Sequence, residues 1–369
     1  MNSVAAALCR DAAVLRSHPY DPDDPFWLAA HADAVHLLVI DAARRSGAAD
    51  AWPADAIEQA RCIDLEAAAI QVVRERELTR VLARLSPAGI SCVLIKGAAL
   101  AYTHYARPHL RPRHDTDLLV RPEDMARLDD ALGAAGYVRA AETTGELVAS
   151  QCRFERTQSR DGLHTLDVHW RVSNVRVFAD GIDDRDLTAA MVPVPALGPH
   201  AWTISPAHAL VLACVHRVAH HWDSDNLLWL MDIHLMASQL SAREADEVVT
   251  LASRWAVRAV CARGIGLAAG NFATATAADL IARVRPREGA AIEPSAEFIG
   301  GTLRLVDLLR TDLATLSWPA RLQLLREHLF PPRAYMRTVY ARWPAPMLPL
   351  AYLDRTVRGV PKWLRRPRS

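Results

Sequence analysis

Residues Val93–Val120, VLIKGAALAYTHYARPHLRPRHDTDLLV, decide how the chain is read. The stretch opens with an apolar run, Val93–Ile95, that predicts a buried strand. Lys96-Gly97 then makes a turn into a short helix. A Pro/Arg-rich loop leads to a second strand carrying Asp115 and Asp117. Side chains alternate across a strand, so acids at i and i+2 share a face. Two carboxylates on one face, running into Leu118-Leu119-Val120, are costly unless a cation lies between them. A divalent metal is the natural guest, because Mg²⁺ takes one or two carboxylates plus substrate phosphates.

On either side the pattern alternates helix and strand. Upstream, Ala54 to Leu85 reads as one long amphipathic helix, stopped by Pro87 and Gly89. Downstream, Pro122-Glu123-Asp124 starts a helix that ends at Gly136, with strands expected near 151–156 and 163–170. The second of these strands carries Asp167, a third carboxylate. The order predicts an α+β fold, a small mixed sheet with helices against it, at about 55–192. Pro-rich 192–206 reads as a break, and 193–330 as an all-helical domain. Residues 1–54 form an N-terminal helical extension with helices at 4–15 and 25–43. From 331 to 369 the chain becomes a basic, Pro-rich tail, whose prolines argue against one continuous amphipathic helix.

The turn Lys96-Gly97, Arg111, Asp115-Thr116-Asp117, Asp167-Val168-His169-Trp170 and the run HALVLACVHRVAHHWDSDNLLWLMDIHLM together resemble the nucleotidyltransferase superfamily. They resemble most its bacterial branch of uncharacterised nucleotidyltransferases, over roughly residues 60–270. The resemblance implies transfer of a nucleoside monophosphate from an NTP to an acceptor, with pyrophosphate leaving. It also implies Mg²⁺ or Mn²⁺ held by Asp115, Asp117 and Asp167. Asp167 would activate the acceptor hydroxyl, and Lys96, Gly97, Ala98 and Arg111 would lie at the phosphates. There is one departure: such proteins usually carry Gly-Ser or Gly-Gly at the turn, and this chain has Gly97-Ala98, with no hydroxyl. His169, His216, His220 and Trp222 are candidates for the acceptor side of the cleft. Arg113 reads as a solvated charge, and Asp232 as a structural residue fixing the helices to the sheet. Two other readings stay open: a toxin-type enzyme modifying tRNA, and a degenerate nucleotide-binding or assembly protein.

The 369 residues carry a formal charge of +1, so no global field points to nucleic acid or membrane. Basic residues are nearly all Arg, and of the two lysines one, Lys96, stands at the proposed phosphate turn. The tail holds nine Arg/Lys against one acid, Asp354, and is a candidate electrostatic contact for RNA or acidic lipid, or simply a solvated face. Six scattered cysteines, no expected signal peptide and no span of ~20 apolar residues lead to the expectation of a cytoplasmic protein.

Overall fold

The computed structural model describes residues 3–143, 145–158, 162–274 and 277–364. Its centre is a seven-stranded mixed sheet, an α+β arrangement followed by a helical region. The strands are β1 (Cys92–Leu94), β2 (Thr116–Val120), β3 (Val138–Arg139), β4 (Gln151–Gln158), β5 (Gly162–His169), β6 (Met191–Pro193) and β7 (Trp202–Ile204). Their order is β3-β4-β5-β2-β1-β7-β6. β2 pairs antiparallel with β1 and parallel with β5, bringing Asp117 opposite Asp167. β6 and β7 come from the Pro-rich stretch read as a break: β7 runs parallel to β1, and the Thr203 hydroxyl donates to the Leu94 carbonyl at 2.8 Å.

Strand parity divides the apolar residues into two cores. Leu94, Leu118, Val120, Leu166 and Val168 face one layer, built on the Ala54–Leu85 and Met125–Ala134 helices. Val93, Ile95 and Leu119 face the other, which contains the Pro206–His221 and Leu227–Gln239 helices and also the N-terminal helices. The segment set apart as an N-terminal extension therefore shares a core with the helical region.

Several helices are shorter than the periodicity suggested. Pro25–Ala32 and His36–Arg45 are separate and bent by 118°. In the region read as all-helical, residues 242–272 do not run as one helix but divide into Ala242–Arg254 and Arg258–Phe272 around Ala256, whose φ is +52°. In the opposite sense, the tail contains a continuous 17-residue helix, Leu348–Leu364. Pro349 falls in its first turn, where the missing N–H costs nothing, and Pro361 only in its last turn. No single described helix is long and apolar enough to cross a membrane.

A buried carboxylate ties the long helix to the sheet. Glu77 accepts from Arg80 Nη2 (2.6 Å), Tyr137 Oη (2.7 Å) and Arg156 Nη1 (2.8 Å). Burial alone would raise its pKa, but Arg80, Tyr137 and Arg156 together bring it down from 4.5 to about 2. A depressed folded-state pKa contributes stability above the unfolded value and loses it as pH falls through the folded one. Glu77→Gln should therefore lower stability at pH 7 by roughly 2 kcal/mol. The gap to wild type should close between about pH 4.5 and 2, which urea midpoints at pH 7 and pH 3 measure. An unchanged gap at pH 3 would refute the linkage.

Candidate functional site

Asp117 and Leu119 lie on the same face of β2, and Asp167 and His169 on the matching face of β5, so all of them point toward the helical layer. Asp115, Asp117 and Asp167 line one cleft of about 450 Å³ between the sheet and the Pro206–His221 and Leu227–Gln239 helices. Lys96 and Gly97 line it too, at the start of the Lys96–Thr103 helix.

Lys96 departs from ordinary backbone geometry, with φ at +55°, a region where a non-glycine residue is strained. Held there, its ammonium donates to Asp117 Oδ1 at 2.6 Å. His169 Nε2 lies 2.9 Å from the same oxygen and 3.3 Å from Lys96 Nζ. The shorter contact assigns the imidazole proton to Nε2, donating to Asp117. Burial raises the Asp117 pKa, but Lys96 and then His169 outweigh it and hold the carboxyl well below the usual carboxylate range. Its neighbours lack such partners. Asp115 is raised by burial and then by Asp117, and Asp167 is pushed up to about 6 by burial and then by Asp115 and Asp117. Of the three acids only Asp117 is hydrogen-bonded to a cation among the described residues, and the burial and mutual repulsion that raise the other two are what a bound cation would relieve.

Arg111 is brought to the cleft, but its guanidinium is already engaged. Nε and Nη2 donate to Asp232 at 2.9 and 2.8 Å, Nη1 donates to the Pro112 carbonyl at 2.7 Å, and Tyr105 Oη donates to Asp232 at 2.6 Å. Asp232 fixes the helical layer to the sheet, as its position in the sequence suggested. Gly97 allows this arrangement, since a Cβ there would come within 3.0–3.1 Å of the Arg111 guanidinium. The arginine that sequence reasoning passed over is Arg113. It is buried, lines the cleft and donates through Nη1 to Gln71 at 3.0 Å, while Nε and Nη2, themselves shut off from solvent, have no hydrogen-bond partner of ordinary geometry among the described residues. Its one sequence signal was its place in the loop, two residues before Asp115. Ala98 does not line the cleft; it packs in the core with Leu94 and Leu118.

The opposite wall is a set of histidines. His216 and His221 contact through their Nε2 atoms at 3.0 Å, and His220 Nε2 lies 3.2 Å from the Ser173 hydroxyl. Burial, then Lys96, lowers all three: His220 to about 3, His221 to about 4, and His216 well below its ordinary value. The wall is therefore neutral imidazole at physiological pH. Trp222 is absent from it. The Pro206–His221 helix ends there in a left-handed cap, with Trp222 at φ +54°, and Trp229 from the next helix lines the cleft instead, stacked on His221 at 3.7 Å.

Residues 21–273 match the model of a family described as uncharacterised nucleotidyltransferase. The chain belongs to that family. The match reaches upstream of the expected 60–270 into the Pro25–Ala32 and His36–Arg45 helices, which share a core with the helical layer. No curated protein matches the chain.

As for a metal, no three His, Cys, Asp or Glu side chains among the described residues form a ready cluster. The donor set nevertheless suits Mg²⁺ or Mn²⁺, which complete their shell with water and substrate phosphate. Asp115 and Asp167 carry raised pKa values, and of the Asp117 oxygens only Oδ1 is taken by Lys96 and His169.

Proposed function

We propose that the cleft transfers a nucleoside monophosphate from an NTP to an acceptor hydroxyl, with Asp115, Asp117 and Asp167 holding Mg²⁺ or Mn²⁺. The observation that carries this reading is that three carboxylates line one cleft of nucleotide size while only Asp117 is hydrogen-bonded to a cation among the described residues. A divalent ion bound there supplies neutralisation of the triphosphate charge and of the attacking oxygen. Asp167, with its pKa at about 6, accepts the proton of the acceptor hydroxyl. The freed oxygen pair bonds to the α-phosphorus, the bond to the bridging oxygen breaks, and pyrophosphate leaves. Lys96 and Arg113 supply positive charge near the phosphates, and Arg113 takes over the role expected of Arg111. The wall of His216, His220 and Trp229 faces the acceptor. Its uncharged, largely apolar surface selects against a strongly anionic acceptor.

The test is pyrophosphate release from each of the four NTPs, with and without Mg²⁺ and with cell extract as a source of acceptor. Asp167→Asn should lower the rate by roughly 10²–10⁴-fold, the usual worth of a general base, while NTP affinity by calorimetry stays near wild type. If no NTP binds and none releases pyrophosphate under any condition, the reading fails.

A further inference from the structure

The C-terminal helices carry a surface that the cleft does not use. In the Leu348–Leu364 helix, Ala351 is fully buried, Tyr352 donates to the Pro331 carbonyl, Arg355 donates to the His328 carbonyl, and Trp363 packs edge-on against His328. These contacts settle which side of the helix faces the protein. On the other side Leu350, Leu353, Val357 and Val360 are 53, 61, 63 and 52 % exposed. Their spacing of three, four and three residues puts them within an arc of about 80° at 3.6 residues per turn. The result is a continuous apolar stripe on which nothing packs among the described residues. Exposed Val339, Trp343 and Met347, just upstream, add to the apolar surface of this region. Scattered exposed apolar residues need no explanation, but an ordered stripe of this kind marks an interaction surface.

The charge of the segment that carries the stripe selects its partner. Residues 333–369 carry nine Arg/Lys and one acid. Arg333, Arg337, Arg342 and Arg358 are exposed. Two copies meeting through this face would bring like charges together. Nucleic acid would satisfy the arginines and leave the leucines and valines without a partner. An anionic bilayer satisfies both: apolar side chains enter the headgroup–acyl boundary, arginines meet lipid phosphate, and a tryptophan suits the interface. We propose that this face seats the chain on an anionic lipid surface, with the Leu348–Leu364 helix lying in the plane of the interface. A groove of about 730 Å³ beside it, lined by Leu325, Leu329, Val339 and Trp363 together with Arg355 and Arg358, combines the same apolar and cationic chemistry.

Co-sedimentation of the full chain with vesicles tests this. Vesicles of equal parts phosphatidylglycerol and phosphatidylcholine should carry the protein down, vesicles of phosphatidylcholine alone should carry far less, and added salt should release it. Leu353→Glu with Val357→Glu should weaken partitioning by roughly tenfold or more, given the apolar area lost from the interface. Because both residues point away from the protein, the melting temperature should hold. If that variant melts early, Leu353→Ser with Val357→Ser serves in its place. Arg337→Ser with Arg342→Ser should weaken binding to the anionic vesicles alone. The proposal is overturned if wild type ignores anionic vesicles, or if the stripe variants bind them as well as wild type does. A wild-type dimer that the stripe substitutions dissociate, with no vesicle binding, assigns the face to a second copy. Retention on RNA with no vesicle binding assigns it to nucleic acid. Either result overturns the proposal.

Discussion

Asp117→Asn abolishes turnover with every acceptor and leaves the protein folded: this is the largest effect expected on activity. Asn keeps the shape of the side chain and an oxygen that still accepts from Lys96, whose ammonium donates to Oδ1 at 2.6 Å in the wild type. What it removes is the charge. Asp117 is the one member of the cluster held firmly ionised, by Lys96 and then His169 against its burial. In the proposed metal-binding role, its loss would leave the cation to Asp115 and Asp167, both with raised pKa values. Several kcal/mol of transition-state charge stabilisation go with it. At 1.36 kcal/mol per tenfold, that is a loss of roughly a thousandfold or more in kcat. Pyrophosphate release measures the rate, and a thermal melt close to wild type shows that the fold survives. A folded Asp117→Asn protein turning over at the wild-type rate would remove the carboxylate cluster from the mechanism.

Asp232→Ala has the largest effect expected on stability. Arg111 is at the edge of full burial, and Asp232 receives both arms of its guanidinium as well as the Tyr105 hydroxyl. Removing the carboxylate leaves a buried cation unpaired, and breaking such a pair typically costs about 3–5 kcal/mol. The pair joins the loop before β2 to the Leu227–Gln239 helix, so the loss loosens the helical layer over the cleft. Denaturant midpoints measure it. The double replacement Arg111→Met, Asp232→Leu should recover most of the stability, because both charges leave together. The same double variant separates two roles of Arg111. If Arg111 serves packing alone, the variant binds NTP normally by calorimetry. If affinity collapses while stability recovers, Arg111 holds phosphate after all, and the assignment of that task to Arg113 is wrong.

Local chemistry accounts for what could be read from the residues in order. Alternation along Thr116–Val120 put Asp117 on the cleft face of β2, the Lys96-Gly97 turn marked a helix start beside it, and the 54–85 periodicity defined a helix whose bounds the structure reproduces; Asp115, expected within the strand, lies instead in the bend just before it and reaches the cleft from there. These inferences depend on neighbours within a few residues, where backbone geometry leaves few choices. The acidic strand and the third Asp could be found in the same way, though not their alignment. That Asp117 stands opposite Asp167 depends on β2 and β5 running parallel in register.

Where the readings diverged, long side chains or long-range pairing decided. Arg111 and Arg113 lie two residues apart, each long enough to reach the cleft, and composition cannot rank them. Asp232, 121 residues away, captures Arg111 and leaves Arg113 with unpaired donors. Trp222, expected at the cleft, does not line it, because the residue forms the left-handed cap of the Pro206–His221 helix, a backbone conformation that periodicity does not foresee. The Pro-rich stretch at 192–206 became two strands because an edge of the sheet was open beside β1. By itself, then, the sequence determined the α+β class, the acidic face of β2 and the family. The tertiary structure alone decided which cation balances which acid, because charges select partners by distance in space, and the chain folds residues far apart in sequence to within hydrogen-bond reach.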